Sequence, residues 1–283
     1  MNSQGPRKPD AMQRQTQTSY LTRSKPGRES QAPIASNAEV PSDPALAGLP
    51  DALIATLDLQ PSKRVRIERG RSIISARETT THVYLVSEGW AVSKLTIETG
   101  DTQILDILGP GSFAGLARAD EVAGDEYSAV ALQEVLAYRI QAKRLHAICA
   151  EDDALGEWLT ERLAHAVQRS QRHITALGRL PARGRLAFAM LRIIDVAQQT
   201  GEVAVDRTIR LPMTQEEIGN MLGLTNVSIS KLMSAFRKEG LIDYGRNRVV
   251  VHDVETLGEI CGMSLESRAQ TPARTLRTPS YAR

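Results

Sequence analysis

The chain has 283 residues, with 35 Lys and Arg against 33 Asp and Glu, so its net charge of +2 does not announce a polyanionic partner and any nucleic-acid footprint must be local. Its two cysteines, Cys149 and Cys261, are far apart and form no CxxC pair, which excludes a disulfide framework, an iron-sulfur run or a zinc ribbon. No apolar run reaches membrane-spanning length, and the polar amino terminus lacks the apolar stretch of a signal peptide, so a cytoplasmic protein without membrane contact is expected.

Residues 1–50 are rich in Gln, Ser, Pro and Ala and carry too little apolar matter to offset the entropy of ordering, so they read as a flexible extension. Residues 51–150 form the next unit. From Val65 to Ile140 short β-rich runs such as HVYLVS, WAVSKLTIE and TQILDIL alternate with turns at Glu88-Gly89, Thr99-Gly100-Asp101 and Gly109-Pro110-Gly111, the pattern of a small antiparallel barrel or jelly roll.

Helical periodicity takes over beyond Gln141. A segment at 151–180 repeats Leu159, Leu163, Ala166, Ser170, His173 and Leu177 at intervals of 4, 3, 4, 3 and 4, which is a coiled-coil-like seam. At roughly 1.5 Å per residue such a helix is about 40 Å long, more than a small domain buries unaided. It can be a connector packed on the barrel or a pairing surface for a second copy. Pairing is the expectation, because the polar members of the stripe make a poor intramolecular core, and His173 would then be a pH-sensitive contact between the helices.

Residues 181–260 form a third unit, followed by a tail at 261–283 that resembles the amino-terminal extension. Pro181 suits a helix start, and Leu186, Met190, Ile193 and Ala197 mark one face of the helix that follows. The stretch EVAVDRTIRL reads as two short strands. Thr214 with Glu217 is a capping box, Gly223 allows a tight turn, and Thr225 caps a second helix whose Ile229, Leu232, Met233 and Phe236 face inward.

The other side of that second helix starts at Asn226 and Val227 and continues through Ser228, Ser230, Lys231 and Ser234, with no carboxylate before Glu239. A helix entering a DNA groove needs such a face, since carboxylates are repelled by phosphates and short side chains permit close approach. LIDY and RVVVHD then form a hairpin around Gly245-Arg246-Asn247, a wing whose Arg246 and Arg248 suit phosphate. Pattern alone also fits a plain helical hairpin. The expected DNA-facing set is Thr214, Thr225, Asn226, Val227, Ser228, Ser230, Lys231, Arg246 and Arg248.

The order of barrel, long helix and winged helix-turn-helix resembles the cyclic-AMP receptor and fumarate-nitrate regulator (CRP/FNR) family of bacterial transcription factors. The stretch MTQEEIGNMLGLTNVSISKLMSAFRKEGLI carries most of the resemblance, and the turn GPGSFAGL carries some. It implies an α+β fold: a cyclic-nucleotide-binding-like jelly roll, a dimerisation helix and a winged DNA-binding domain. It also implies a homodimer on a near-palindromic double-stranded site, with half-sites roughly 34 Å apart, and contact with RNA polymerase if the protein is an activator.

The family's base-reading positions match Asn226, Val227 and Lys231, where its commonest pattern is Arg, Glu and Arg. Asn226 could pair with adenine, Val227 meet a thymine methyl, and Lys231 donate to guanine or hold a phosphate. In nucleotide-binding members a glutamate and an arginine hold the ribose and the cyclic phosphate. The matching positions here are Leu116 and Tyr127, with Ser128 keeping the adjoining pattern and Arg118 the only nearby cation.

The effector pocket is therefore expected to be altered, around Gly111, Phe113, Gly115, Leu116, Arg118, Tyr127 and Ser128, and any cofactor or effector is unknown. Without clustered amino-terminal cysteines, iron-sulfur sensing is not expected. His82 leaves a haem-responsive regulator open, and a cyclic-nucleotide-responsive one stays open as well. Two other classes compete: an enzyme, for which no HExxH, GxSxG, P-loop or dinucleotide motif is found, and a ligand-responsive module that binds protein rather than DNA.

Overall fold

A computed structural model describes residues 43–76, 80–116, 127–199, 208–245 and 247–263. The fold begins earlier than expected. Ala45, Leu49, Leu53 and Leu57, from a 3-10 turn at Pro44–Leu46 through the short helix α1 (Asp51–Thr56), bury their side chains with Val83, Leu85, Tyr138, Leu155 and Trp158. Polar bonds lock this strap: Asp43 accepts from Ser87 Oγ and from Tyr138 Oη at 2.8 Å, and the Trp158 indole donates to Ala47 O at 3.0 Å. Burial, then the hydrogen bond to Asp43, pushes the Tyr138 hydroxyl well above its ordinary pKa. Residues 43–50 thus belong to the folded unit, anchored by the buried Ala45 and Leu49 and by the bonds of Asp43 and Ala47 O.

The barrel is a sandwich of two antiparallel sheets. One has the order β1 (Val65–Ile67), β8 (Val135–Gln141), β3 (His82–Glu88), β6 (Phe113–Ala114); the other is β2 (Ser72–Ile74), β7 (Tyr127–Ala131), β4 (Ala91–Thr96), β5 (Thr102–Leu108). Small side chains meet between the sheets: Ala91, Ala114, Ala129, Ala131 and Ala137 are almost fully buried beside Val86, Leu108 and Val135. Ile73 and Ile74 complete this cluster.

After α2 (Ala142–Glu151), Asp152 caps α3 (Asp153–Arg179) by accepting from Leu155 N. α3 has 27 residues, as the periodicity predicts, and α4 (Ala182–Gln199) follows. The stretch before the winged domain shows one strand, β9 (Thr208–Arg210); the other expected strand falls on residues outside those described. Then come α5 (Gln215–Leu222), α6 (Asn226–Lys238) and the hairpin of β10 (Ile242–Gly245) and β11 (Arg248–Val251), in a sheet ordered β10-β11-β9. A final helix, α7 (Val254–Cys261), was not anticipated; Asp253 caps it, and its Leu257 and Cys261 are buried in the same core as α4.

That core does not stop at the barrel. Trp90, Val92, Ile104 and Ile107 of the barrel join Leu186, Met190 and Ile193 of α4 and Ile218, Met221 and Leu222 of α5 in one continuous cluster. The helix-turn-helix is therefore packed on the barrel by apolar contact, and its placement is tied to the barrel's own strands.

Candidate nucleic-acid interface and sensory cavity

Local chemistry builds the two helices. Thr214 Oγ1 accepts from Glu217 N at 3.1 Å while Thr214 N donates to Glu217 Oε2 at 2.7 Å, a reciprocal cap for α5. Gly223 then turns the chain with φ of 62°, a left-handed conformation that a side chain would strain. Thr225 caps α6 by accepting from Ser228 N. Ile229, Met233 and Phe236 are buried, which fixes the rotation of α6 and leaves Asn226, Val227, Ser230 and Lys231 exposed.

Val227 is 65% exposed, which no core role explains. Ser228, by contrast, turns back to the cap, 2.9 Å from Thr225 Oγ1, and Thr214 is exposed but engaged in its own cap. Arg237 braces the hairpin against α6 by donating to Asp243 Oδ1 and to Tyr244 O and lying 5.0 Å from the Tyr244 ring centroid. On the hairpin, Arg248 is exposed and pairs in register with Arg210 of β9, also exposed. Like charges directly opposite in a sheet repel, an arrangement that an anion in front of them would relieve. Arg210 was not in the expected set, because its neighbour is set by pairing with a residue 38 positions away rather than by local sequence. Arg246 lies outside the described residues.

The barrel carries a cavity of about 500 Å³ between β4, β5, the Gly109–Leu116 turn and α3. Of the residues named for an effector pocket, Gly111, Phe113, Gly115, Leu116 and Tyr127 line this cavity; Ser128 does not, since alternation along β7 turns it to the opposite face from Tyr127. Arg118 falls outside the described residues. Sequence reasoning missed Asp106, Arg162 and Arg169 in the wall. The two arginines stand at i and i+7 on α3, a spacing that places both on one face.

Arg162 donates to Gly111 O and Ala47 O at 3.1 and 3.0 Å and stacks 4.3 Å from the Trp158 ring centroid. Gly111 has a φ of 80°, which a side chain would strain, and a Cβ there would sit 2.6 Å from Arg162 Nη1 and push that guanidinium aside. Asp106 Oδ2 accepts from Arg169 Nε at 2.9 Å, and its Oδ1 accepts from Arg192 Nη2 of α4 at 3.2 Å. Burial raises the Asp106 pKa, but the charges of Arg192 and Arg169 and their hydrogen bonds outweigh it and hold the carboxyl below its usual range.

The expected seam on α3 divides into two faces. Ala166 lines the cavity, and Leu159 packs on the strap cluster. His173 is 6% exposed, stacked on Phe188 and bonded within its own chain, so it is not an intersubunit contact in this fold. Leu177 approaches the turn at Gly223. An exposed stripe runs along Leu163, Val167, Ser170 and Ile174, with the three apolar members 44%, 54% and 69% exposed; Leu163 and Ser170 stand at its edge and also line the cavity beside Ala166. His82 opens a separate hollow with Asp58, Lys63 and Arg144 that shares no wall with the large cavity. Among the described residues no three His, Cys, Asp or Glu side chains converge to hold a metal ion, and no helix is long and apolar enough to cross a membrane.

The two halves have recognisable counterparts. Residues 64–152 match the cyclic nucleotide-binding domain, and residues 184–260 match the Crp-like helix-turn-helix domain. The chain belongs to the CRP/FNR family of transcription regulators. It is 28% identical to the transcriptional regulatory protein btr of Bordetella pertussis over 76% of this chain and 88% of that protein. To the fumarate and nitrate reduction regulatory protein of Vibrio cholerae it is 26% identical, over 75% and 84%. A CRP-family transcriptional regulator of Thermus thermophilus superposes with a TM-score of 0.61 at 25% identity, covering 72% of this chain and 99% of that one. This CRP/FNR protein is thus a DNA-binding transcriptional regulator and not an enzyme. Regulators of its family bind DNA and act as dimers.

Proposed function

We propose that two copies of this regulator pair through the outward stripe of α3 and bind a near-palindromic double-stranded site in the cytoplasm, each inserting α6 into a major groove. The observation that carries the reading is the exposed, carboxylate-free face of Asn226, Val227, Ser230 and Lys231, in a domain whose wing sheet also exposes the paired Arg210 and Arg248. Asn226, Val227 and Lys231 read bases, and the two arginines hold phosphates. At an activated promoter the bound dimer would contact RNA polymerase. Selection of bound sequences from a random DNA pool gives the half-site and spacing; recovery of no preferred sequence sinks the reading.

Two substitutions separate the roles. Asn226→Ala relaxes preference at one or two base pairs, at a cost of about 1–3 kcal/mol on the cognate site alone. Arg248→Ala weakens cognate and scrambled DNA alike and lowers the salt slope by about 1. Equal losses on both DNAs for Asn226→Ala would remove its base-reading role.

The cavity, on this reading, receives a small-molecule effector other than a classical cyclic nucleotide. Leu116 and Tyr127 stand in its wall where nucleotide-binding relatives place charged contacts, and the two arginines of the wall are already engaged, Arg162 with Gly111 O and Ala47 O and Arg169 with Asp106, so a phosphate would have to break those bonds or be buried without a matched cation at a cost of several kcal/mol. Titration calorimetry with cyclic AMP is expected to show no binding in the micromolar range. Saturable heat at such concentrations overturns this assignment.

A further inference from the structure

The turn end of α5 is capped from outside the helix-turn-helix. A helix leaves its last carbonyls without intrahelical donors, and here three other elements reach them. Met221 O accepts from Gln103 Nε2 of β5 at 3.0 Å and lies 2.8 Å from His173 Nε2 of α3; Leu222 O accepts from Arg185 Nη1 of α4 at 3.2 Å. The second ring nitrogen, His173 Nδ1, is 2.7 Å from Leu105 O of β5. The imidazole is buried and stacks on Phe188 at a centroid distance of 5.8 Å.

Both groups facing the ring nitrogens are carbonyl oxygens, which only accept. A neutral imidazole carries one N–H and satisfies one of them, leaving a lone pair turned on the other; the imidazolium carries two and satisfies both. We propose that His173 is a proton-dependent clamp holding α5, and with it α6, against the barrel: docking between Leu105 O and Met221 O takes up a proton that undocking releases.

The charges around the clamp allow this. On α3, Arg169 pairs with Asp106 of β5; on α4, Arg192 pairs with Asp106 and Asp195, while Arg185 donates to Leu180 O and Leu222 O. α5 keeps its acids, Glu216 and Glu217, in the first turn and presents its carbonyl end to the ring. Arg169 and Arg192 are offset by Asp106 and Asp195 while Arg185 adds a third cation at Leu222 O, so what favours a second proton on the ring is its own pair of carbonyl contacts, Leu105 O and, at the negative end of the α5 dipole, Met221 O. The docked form binds more protons, so docking strengthens as pH falls and weakens as pH rises. The clamp also shares residues with the cavity wall, which includes Leu105, Asp106 and Arg169.

The test uses a native reporter. Trp90 and Trp158 are the two tryptophans, and Trp90 is fully buried in the core shared with α4. In the full-length chain carrying Trp158→Phe, acrylamide quenching of Trp90 is followed from about pH 5.5 to about pH 8.5, which brackets the ordinary titration range of histidine. Quenching is expected to rise about three-fold or more toward high pH as docking is lost, and His173→Gln, with one donor and one acceptor, flattens the profile. Gln103→Ala removes a neutral donor to the same carbonyl and raises quenching at every pH while keeping the slope. Nitrogen-15 NMR of the histidine rings, with His173 assigned by its contact with Phe188, should show both nitrogens protonated while Trp90 is shielded. A slope that persists in His173→Gln, or a singly protonated His173 ring in the shielded state, overturns the clamp.

Discussion

Replacing Asp106 with alanine is expected to cost about 3–5 kcal/mol of stability, read from the urea midpoint at pH 7, because removing one partner strands a buried cation. The stranded group is Arg192, whose side chain is 7% exposed and whose guanidinium binds Asp106 Oδ1, Asp195 and Ile107 O. Asp195 stays in place and compensates part of the charge, which puts the loss toward the lower end of that range. Arg169, bonded to the other carboxylate oxygen, is 23% exposed and recovers some hydration. The double replacement Asp106→Leu with Arg192→Met removes both charges together and should regain most of the loss, since a buried pair exchanged for apolar groups of similar volume is often neutral. A single replacement as mild as the double one contradicts this account.

The same carboxyl sets an acid limb. Its folded pKa lies below the ordinary value, because Arg192 and Arg169 overcome the upward push of burial. Its contribution is therefore complete above the unfolded carboxyl's value of about 3.9 and is lost as pH falls through the folded value. Wild type should lose stability more steeply than Asp106→Asn below about pH 4. Asp106 joins β5, α3 and α4, so its protonation loosens the barrel from the helical domain as well as the site itself.

Asp106 also marks where the sequence stops being legible. The α5–α6 pair could be read in detail because each signal is local: the Thr214–Glu217 cap spans three residues, Gly223 follows directly, and the buried stripe of α6 repeats at helical spacing. Asp106 and its partners are separated by 63 and 86 positions, and no local pattern joins them. Arg210 and Arg248 meet only because β9 and β11 pair. The strap from Asp43 was hidden because PALAGLP, broken by Pro44, Gly48 and Pro50, shows no helical or strand period and follows directly on a Gln-, Ser- and Pro-rich stretch.

The long helix shows a different limit. A repeat of 3.5 residues says that α3 has a seam but not which neighbour the seam meets. α3 has two: Leu155, Trp158, Arg162, Arg169, His173 and Ala176 face the strap, the barrel and the winged domain, while Val167 and Ile174 face away and Leu163 stands between, exposed yet lining the cavity. Both run at heptad spacing, so a single stripe drawn through them mixes residues from each. His173 entered the wrong one because the imidazole's two carbonyl partners come from β5 and α5, which the helix itself cannot reveal.

Ile174→Glu is expected to turn the regulator into a monomer. Ile174 is the most exposed large apolar residue of α3, at 69%, and with Val167 at 54% and Leu163 at 44% it forms a stripe that stays exposed among the described residues. Burying an isoleucine contributes about 1.5–3 kcal/mol, and a twofold interface loses it twice, so dimer dissociation should rise by about 10²–10⁴-fold even before the repulsion of two facing carboxylates. The site is exposed in the protomer, so the thermal midpoint of the isolated fold should hardly move, whereas a core substitution lowers both. Sedimentation equilibrium measures the first effect. On DNA, affinity for a full site should fall to that of a half-site, since one recognition helix then binds without its partner at the next turn of the duplex. His173→Gln supplies the contrast: it disturbs docking within a protomer and leaves the dimer intact. A dimer that survives Ile174→Glu but dissociates in His173→Gln would place the interface on the other face of α3 and require the helix to leave its barrel in order to pair.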